Sequence, residues 1–231
     1  MKASDYFAKV LSNYTNIAFT GQGGSVVHIL DSIKKQKKIK IIPSQNEQGA
    51  SLAADAFSRK DKKKIGLVIA TSGPGIINCI QGIACSYYDS IPSLYISGAP
   101  VTAAIKKNSK LRQLGFQEMD VMNIVKSFTK YSVRITDPND IKYEIEKCIH
   151  ISNHGRRGPC LIDLPDDIQR KEINPKNQKN FFFKKPSINK INNKRLQKVS
   201  NLIDRSKKPL IILGNGINNI ENKVSLNKFI S

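Results

Sequence analysis

The chain has 231 residues, 39% of them hydrophobic, which is enough to bury the core of one large domain or two small ones. No apolar run approaches the ~18 residues of a membrane span, and Met1-Lys2-Ala3-Ser4-Asp5 lacks the apolar core of a signal peptide, so a soluble cytoplasmic protein with no membrane partner is expected. Basic residues number 38 against 18 acidic, a net charge of +20, yet the two dense lysine runs, Lys34 to Lys40 and Lys60 to Lys64, fall in turns without interleaved aromatics, so nucleic acid is not expected as a partner.

Asn16 to Thr20 reads as a strand, Gly21-Gln22-Gly23-Gly24 as a turn, and Ser25 to Ile33 as a helix with Val26, Ile29, Leu30 and Ile33 on one face. The plan repeats. Ile39 to Ile42 leads through Glu47 into an Ala-rich helix from Gln48 to Ser58, and Ile65 to Thr71 leads through Ser72-Gly73-Pro74-Gly75 into a helix from Ile76 to Tyr87. Ser93 to Ser97 is a fourth strand, followed by an irregular stretch, Gly98 to Gln117, long enough to be a functional loop. Tyr131 to Ile135 and Cys160 to Leu164 are strands flanking a helix from Pro138 to about Ser152. Six strands alternating with helices predict an α/β fold, a parallel six-stranded sheet with helices on both faces.

After Leu164-Pro165 the composition changes. Lys171 to Asn193 is rich in Lys, Asn and Pro and reads as a linker, with Phe181-Phe182-Phe183 expected to pack down on a domain. Asn192 to Asp204 reads as a helix and Pro209 to Leu213 as a strand running into Gly214-Asn215-Gly216, the start of a second α/β domain that ends at Ser231. The expected division is thus a domain over 1–170, a linker over 171–193 and a truncated domain over 194–231. Cys79, Cys85, Cys148 and Cys160 lie in apolar segments without metal-ligand spacing and read as buried thiols; no metal ligands are assigned.

Two stretches carry chemistry. Pro43 to Ala50 puts Glu47 at a strand-to-helix corner, where an open parallel sheet binds ligands, although such an acid alone is more simply a first-turn residue favoured by the helix dipole. Ser72-Gly73-Pro74-Gly75 combines a fixed proline angle with glycines that allow close approach, and aims a helix start at the same crevice. Both Gly21-Gln22-Gly23-Gly24 and Gly214-Asn215-Gly216 lack the third glycine of a dinucleotide fingerprint.

Asn46-Glu47-Gln48-Gly49-Ala50, Ala70-Thr71-Ser72-Gly73-Pro74-Gly75 with Asn78, Asp89-Ser90-Ile91-Pro92, Phe116-Gln117-Glu118 with Asp120, and Gly155-Arg156-Arg157-Gly158-Pro159 before Ile162-Asp163-Leu164-Pro165 resemble, in order and spacing, the thiamine-diphosphate enzymes of the acetolactate synthase type. The resemblance covers their pyrimidine-binding domain over residues 1 to about 170, and Lys208 to Ile217 resembles the start of their central domain. It implies that Glu47 hydrogen-bonds a ring nitrogen of the cofactor's aminopyrimidine and promotes its imino tautomer, as the catalytic residue. It places Gly73, Gly75 and Asn78 near the pyrimidine, Phe116 and Gln117 on the substrate side of a homodimer or tetramer, and Arg156 where the synthases contact flavin. It implies a 2-keto acid substrate such as pyruvate, thiamine diphosphate with Mg2+, and FAD as a possible further cofactor.

The Mg2+ would be bound by a third domain with a Gly-Asp-Gly motif that is absent here, so this stretch alone should be inactive. Two departures bear on the acyl acceptor: Gly98 is followed by Ala99-Pro100 where the synthases usually have Gln, and the loop Lys106 to Gly115 is longer than theirs. They leave open a related lyase or decarboxylase with another acceptor. The reading from a different class is a non-catalytic basic binding module.

Overall fold

The strands run Ile17–Thr20 (β1), Lys40–Pro43 (β2), Gly66–Ala70 (β3), Ser93–Ala99 (β4), Tyr131–Arg134 (β5) and Cys160–Pro165 (β6). In this computed structural model, which describes residues 1–61, 63–105, 110–183, 192–214, 217 and 223–230, they form one sheet in the order β2-β1-β3-β4-β6-β5. Every neighbouring pair is parallel. The helices of this unit are Ala3–Leu11 (α1), Val27–Gln36 (α2), Glu47–Lys60 (α3), Pro74–Asn78 (α4), Ile80–Tyr88 (α5), Val121–Val125 (α6), Ile141–Asn153 (α7) and Asp166–Arg170 (α8). Both expected features, the parallel six-stranded sheet and its two helical layers, are present.

Successive strand residues point to opposite faces, and both faces are covered, which is why the strands read as continuous apolar runs. Leu67, Ile69, Leu94, Ile96 and Ile162 share a core with Phe7, Leu11, Ile29, Ile33 and Ile145. Val68, Ala70, Tyr95 and Leu161 share the other with Ala54, Ile76, Ile83 and Val125. Burying each such side chain is worth about 1.5–3 kcal/mol.

Four local expectations change. α1 lies where no helix is assigned from the sequence, yet Ala3, Phe7 and Leu11 recur at helical spacing and are fully buried. The helix expected over Ile76 to Tyr87 is two, because Gly73 and Pro74 start α4 two residues earlier and the chain turns at Cys79. Cys85 is half-buried, not buried, because it looks out from α5 beside Tyr88. Of the three phenylalanines Phe181 packs down, edge-on to Tyr143 at 5.6 Å, whereas Phe182 is exposed.

The chain separates into two compact units, Met1–Phe181 and Phe182–Ser231. The described residues of the second hold two helices, Asn193–Asp204 (α9) and Lys223–Ile230 (α10). The strand expected at Pro209–Leu213 does not form: these residues have no ladder partner among the described residues, and Leu210 and Ile212 stand exposed, since a strand exists only through its neighbour. Lys62, Lys106 to Ser109, the linker residues 184–191 and Asn215-Gly216 lie outside the described residues. No described helix is long and apolar enough to cross a membrane.

Candidate active site

At the carboxyl end of β2 the chain turns into α3, and Asn46 fixes where that helix starts. Asn46 is extended, and its side-chain oxygen accepts the Gly49 N–H at 2.7 Å, which leaves Glu47 as the first helical residue. Replacing Asn46 with Ala is expected to cost about 0.5–2 kcal/mol in urea unfolding. An unchanged midpoint would show that the cap does not set this helix start.

The Glu47 carboxylate lies in a corner walled by backbone. A Cβ on Gly21 would fall 2.5 Å from Glu47 Oε1, and one on Gly75 would fall 3.5 Å from the same oxygen and 2.6 Å from the Thr71 methyl. Only bare glycine fits at Gly21 and Gly75 without moving the acid or Thr71. Asn78, one turn into α4, donates its side-chain N–H to Glu47 Oε2 at 3.2 Å, so Oε1 is the oxygen on the glycine side. Beneath them the Cys79 thiol points to the Glu47 carbonyl, and burial, then the Glu47 charge, push its pKa far up, so it stays a neutral thiol.

The turn after β3 is pinned by hydroxyls. The Ser72 N–H donates to Ser25 Oγ at 2.9 Å, and Ser25 Oγ pairs with Thr71 Oγ1 at 2.9 Å. Gly73 then takes φ +62°, a left-handed conformation, with the Gln117 carbonyl 2.4 Å from where its Cβ would be. Gln117 itself has φ +53°, so the two residues meet in paired, unusual conformations. A cavity of about 480 Å³ opens between Pro74, Gln113, Gln117, Met119 and Ile124. Behind the turn, buried Asp163 is held by Arg134 Nε at 2.5 Å.

The structure therefore gathers Glu47, Gly75 and Asn78 in one corner and sets Gly73 and Gln117 against each other beside it. Phe116 points outward, strongly exposed. Arg156 is not in this corner: it precedes β6, at the opposite end of the sheet, where its Nε donates to Ser90 Oγ at 3.0 Å. The part played by Gly21 is not legible in the sequence, where its turn reads as an incomplete dinucleotide fingerprint and nothing in its spacing points to Glu47. The hydroxyl of Ser25 gave no sequence signal at all.

Bare backbone beside a carboxylate suits a flat heteroaromatic ring, which needs edge contacts and one group able both to accept and to donate a proton. Comparison with known proteins agrees. Residues 1–124 match the family described as thiamine pyrophosphate enzyme, N-terminal TPP binding domain. The chain is 34% identical over 210 residues to an acetolactate synthase large subunit of Lactococcus lactis, covering 87% of this chain and 34% of that protein. It is 36% identical over 202 residues to the acetolactate synthase large subunit of Buchnera aphidicola (84% and 34%), and 32% over 219 residues to a mitochondrial acetolactate synthase of Schizosaccharomyces pombe (90% and 31%). The chain spans about a third of the length of the curated relatives it matches. With a family match over more than half its length, on a parallel sheet of the kind its motifs imply, the chain belongs to the thiamine pyrophosphate enzymes, through their N-terminal TPP-binding domain.

Proposed function

We propose that this chain is the pyrimidine-binding part of an acetolactate synthase-like enzyme that decarboxylates a 2-keto acid such as pyruvate and joins the acyl unit to an acceptor, in branched-chain amino-acid synthesis. The observation that carries the reading is the Glu47 carboxylate, held by Asn78 and facing glycine backbone. Thiamine diphosphate, when bound, supplies the electron sink for decarboxylation. The residues here would hold its aminopyrimidine: Gly73 and Gly75 by close backbone approach, Asn78 by fixing the acid, and Glu47 by exchanging a proton at Oε1.

The division into a pyrimidine-binding domain over 1–170, a linker to 193 and the opening of a central domain belongs to the same proposal. Mg2+ would be held through a Gly-Asp-Gly motif, which is not among these 231 residues. Flavin contact through Arg156 would lie at the far end of the sheet and take no part in proton transfer at Glu47. The alternative acceptor rests on Gly98, which packs on Ser25 where a Cβ would fall 2.3 Å from its hydroxyl, and which is followed by Ala99-Pro100.

The test is acetolactate formation from pyruvate by the complete enzyme with thiamine diphosphate and Mg2+, run beside a panel of aldehyde and keto acceptors. Consumption of pyruvate with another acceptor alone would select the related lyase; no cofactor-dependent consumption of any 2-keto acid would end the proposal. The 231-residue chain by itself is expected to form no acetolactate. It is also expected to self-associate, since Leu52, Leu114, Phe116, Met119 and Ile124 are exposed apolar side chains on the crevice side. A strict monomer in sedimentation at high concentration would count against the two-subunit crevice.

A further inference from the structure

Because every sheet neighbour is parallel, each helix returns the chain to the same edge before the next strand, so lysine runs far apart in sequence arrive at one edge, with β1 between the strands they enter. Lys34, Lys35, Lys37, Lys38 and Lys40 lead into β2, and Arg59, Lys60, Lys63 and Lys64 lead into β3. Lys126 and Lys130 precede β5, and Arg156 and Arg157 precede β6. The loops touch: Lys63, Lys64 and Arg157 line one small cavity, and Arg59 reaches Asp89 beside Ser90, the partner of Arg156.

Acids at this edge are few and engaged. Asp89 binds Arg59, and Asp61 accepts the backbone N–H groups of Lys63 and Lys64. Lys34, Lys37, Lys38, Lys60 and Lys63 are exposed and have no carboxylate partner among the described residues. The opposite edge mixes both signs: Glu47, Glu118, Asp120, Asp137 and Asp166 lie there with Arg112, Arg134 and Arg170, and Asp166 pairs with Arg170 and Asp137 with Lys179. Helix dipoles favour cations at helix carboxyl ends, but by only about 0.3–1 kcal/mol each, and that preference does not account for runs continuing past the helix ends into the loops.

We propose that this amino-terminal edge docks the phosphate backbone of double-stranded nucleic acid, without regard to sequence. The lysine runs read as turns in the sequence, which argued against such a partner; in the structure Lys34 and Lys35 end α2, Lys60 ends α3 and Lys40 opens β2, and the topology brings them to one edge. Five inter-strand steps of about 4.8 Å give a row of about 24 Å. A duplex carries a charge every ~1.7 Å of axis, about 14 over that length, of which about half lie on the side that faces the protein. An extended acidic polypeptide turns one side chain to a face only every ~6.7 Å, about four over the row, too sparse to match it. Lysines serve as point charges for phosphate, and one strongly exposed aromatic, Tyr88, makes no stacking platform for single strands. This surface is remote from the Glu47 corner and, Arg156 apart, stands whether or not the catalytic proposal does.

The test is binding of a fluorescent mixed-sequence DNA duplex of about 24 base pairs to the 231-residue chain across ~50–200 mM salt. Each phosphate contact contributes about −0.9 to the slope of log affinity against log salt. The quadruple variant Lys34→Glu, Lys38→Glu, Lys60→Glu, Lys63→Glu is expected to reduce that slope by about 3 to 4 and to weaken binding at least tenfold at ~50 mM salt. The same four positions changed to Gln serve if the Glu variant fails to melt cooperatively. Lys110, Lys171, Lys176 and Lys179 changed to Glu alter net charge equally on the same unit, outside the loops of this edge; an equal loss from that variant would show that binding follows net charge, and would overturn the edge. Competition by poly-glutamate as strong as by DNA, charge for charge, would replace nucleic acid with an acidic polypeptide, and no salt-sensitive binding would end the proposal.

Discussion

Turnover of the complete enzyme is expected to fall by about 10²–10⁴-fold when Glu47 is changed to Gln, with the fold intact. Gln has nearly the same shape and can still accept the Asn78 N–H that now reaches Oε2 at 3.2 Å. Doing so turns its amide NH2 toward Gly21 and Gly75, where Oε1 now stands. The glycine side then meets a permanent donor in place of a group that can give a proton and take it back. Cofactor affinity should change less than turnover, because the glycine contacts remain. A glutamate serving only as a first-turn acid behaves otherwise: its loss costs roughly 0.3–1 kcal/mol of stability and leaves turnover alone. Steady-state kinetics at saturating thiamine diphosphate, with a melt of the same protein, separate the two; normal turnover with a lowered melt would remove Glu47 from the chemistry.

The second large effect is on stability. Asp163 is 1% exposed on β6, and its partner Arg134 reaches it from β5 at 2.5 Å. Burial pushes the Asp163 carboxyl up from its usual range, and the Arg134 charge and hydrogen bond draw it back. Arg134→Met keeps the bulk and strands a buried charge, a loss of about 3–5 kcal/mol at neutral pH. The sign with pH follows from the direction of the shift. A carboxyl whose folded pKa lies above its unfolded one binds its proton more tightly when folded, so its contribution is fullest below the unfolded pKa and is lost as pH rises through the folded one. Without Arg134 the folded pKa rises further, so the deficit of the variant should shrink on going from neutral pH to about pH 5. Denaturation at both pH values checks this, and an equal deficit at each would mean that the ionised Asp163 is not its source.

What the sequence revealed followed from burial. β3, β4 and β6 are covered on both sides, so Leu67 to Ala70 or Leu94 to Ile96 announce themselves without knowledge of the neighbours. Glu47 and Ser72 to Gly75 could be placed at helix starts because turns are local chemistry. Contacts between distant turns were not legible: no spacing rule tells that Gly21 must be bare to admit Glu47, or that Gln117 adopts a positive φ against Gly73. Nor could hydropathy show that Pro209–Leu213 finds no ladder among the described residues, since an apolar run reports a wish for burial and not the presence of a partner.

The position of β6 bears on how this protein is made. It is the last strand of this sheet in chain order, yet it lies between β4 and β5, and β5 pairs with no other strand among the described residues. Until Cys160 to Pro165 have left the ribosome, β4 presents Leu94, Tyr95 and Ile96 as an open edge and β5 has no place to dock. The first helix waits as well, because Ala3 donates to the Lys171 carbonyl at 2.8 Å and the Met1 amino group meets Glu172 at 2.8 Å. The β4 and β5 edges and the first helix are thus completed by the same late segment, so the sheet cannot close before that segment is available, and until then β4 keeps an apolar edge of the kind that favours aggregation.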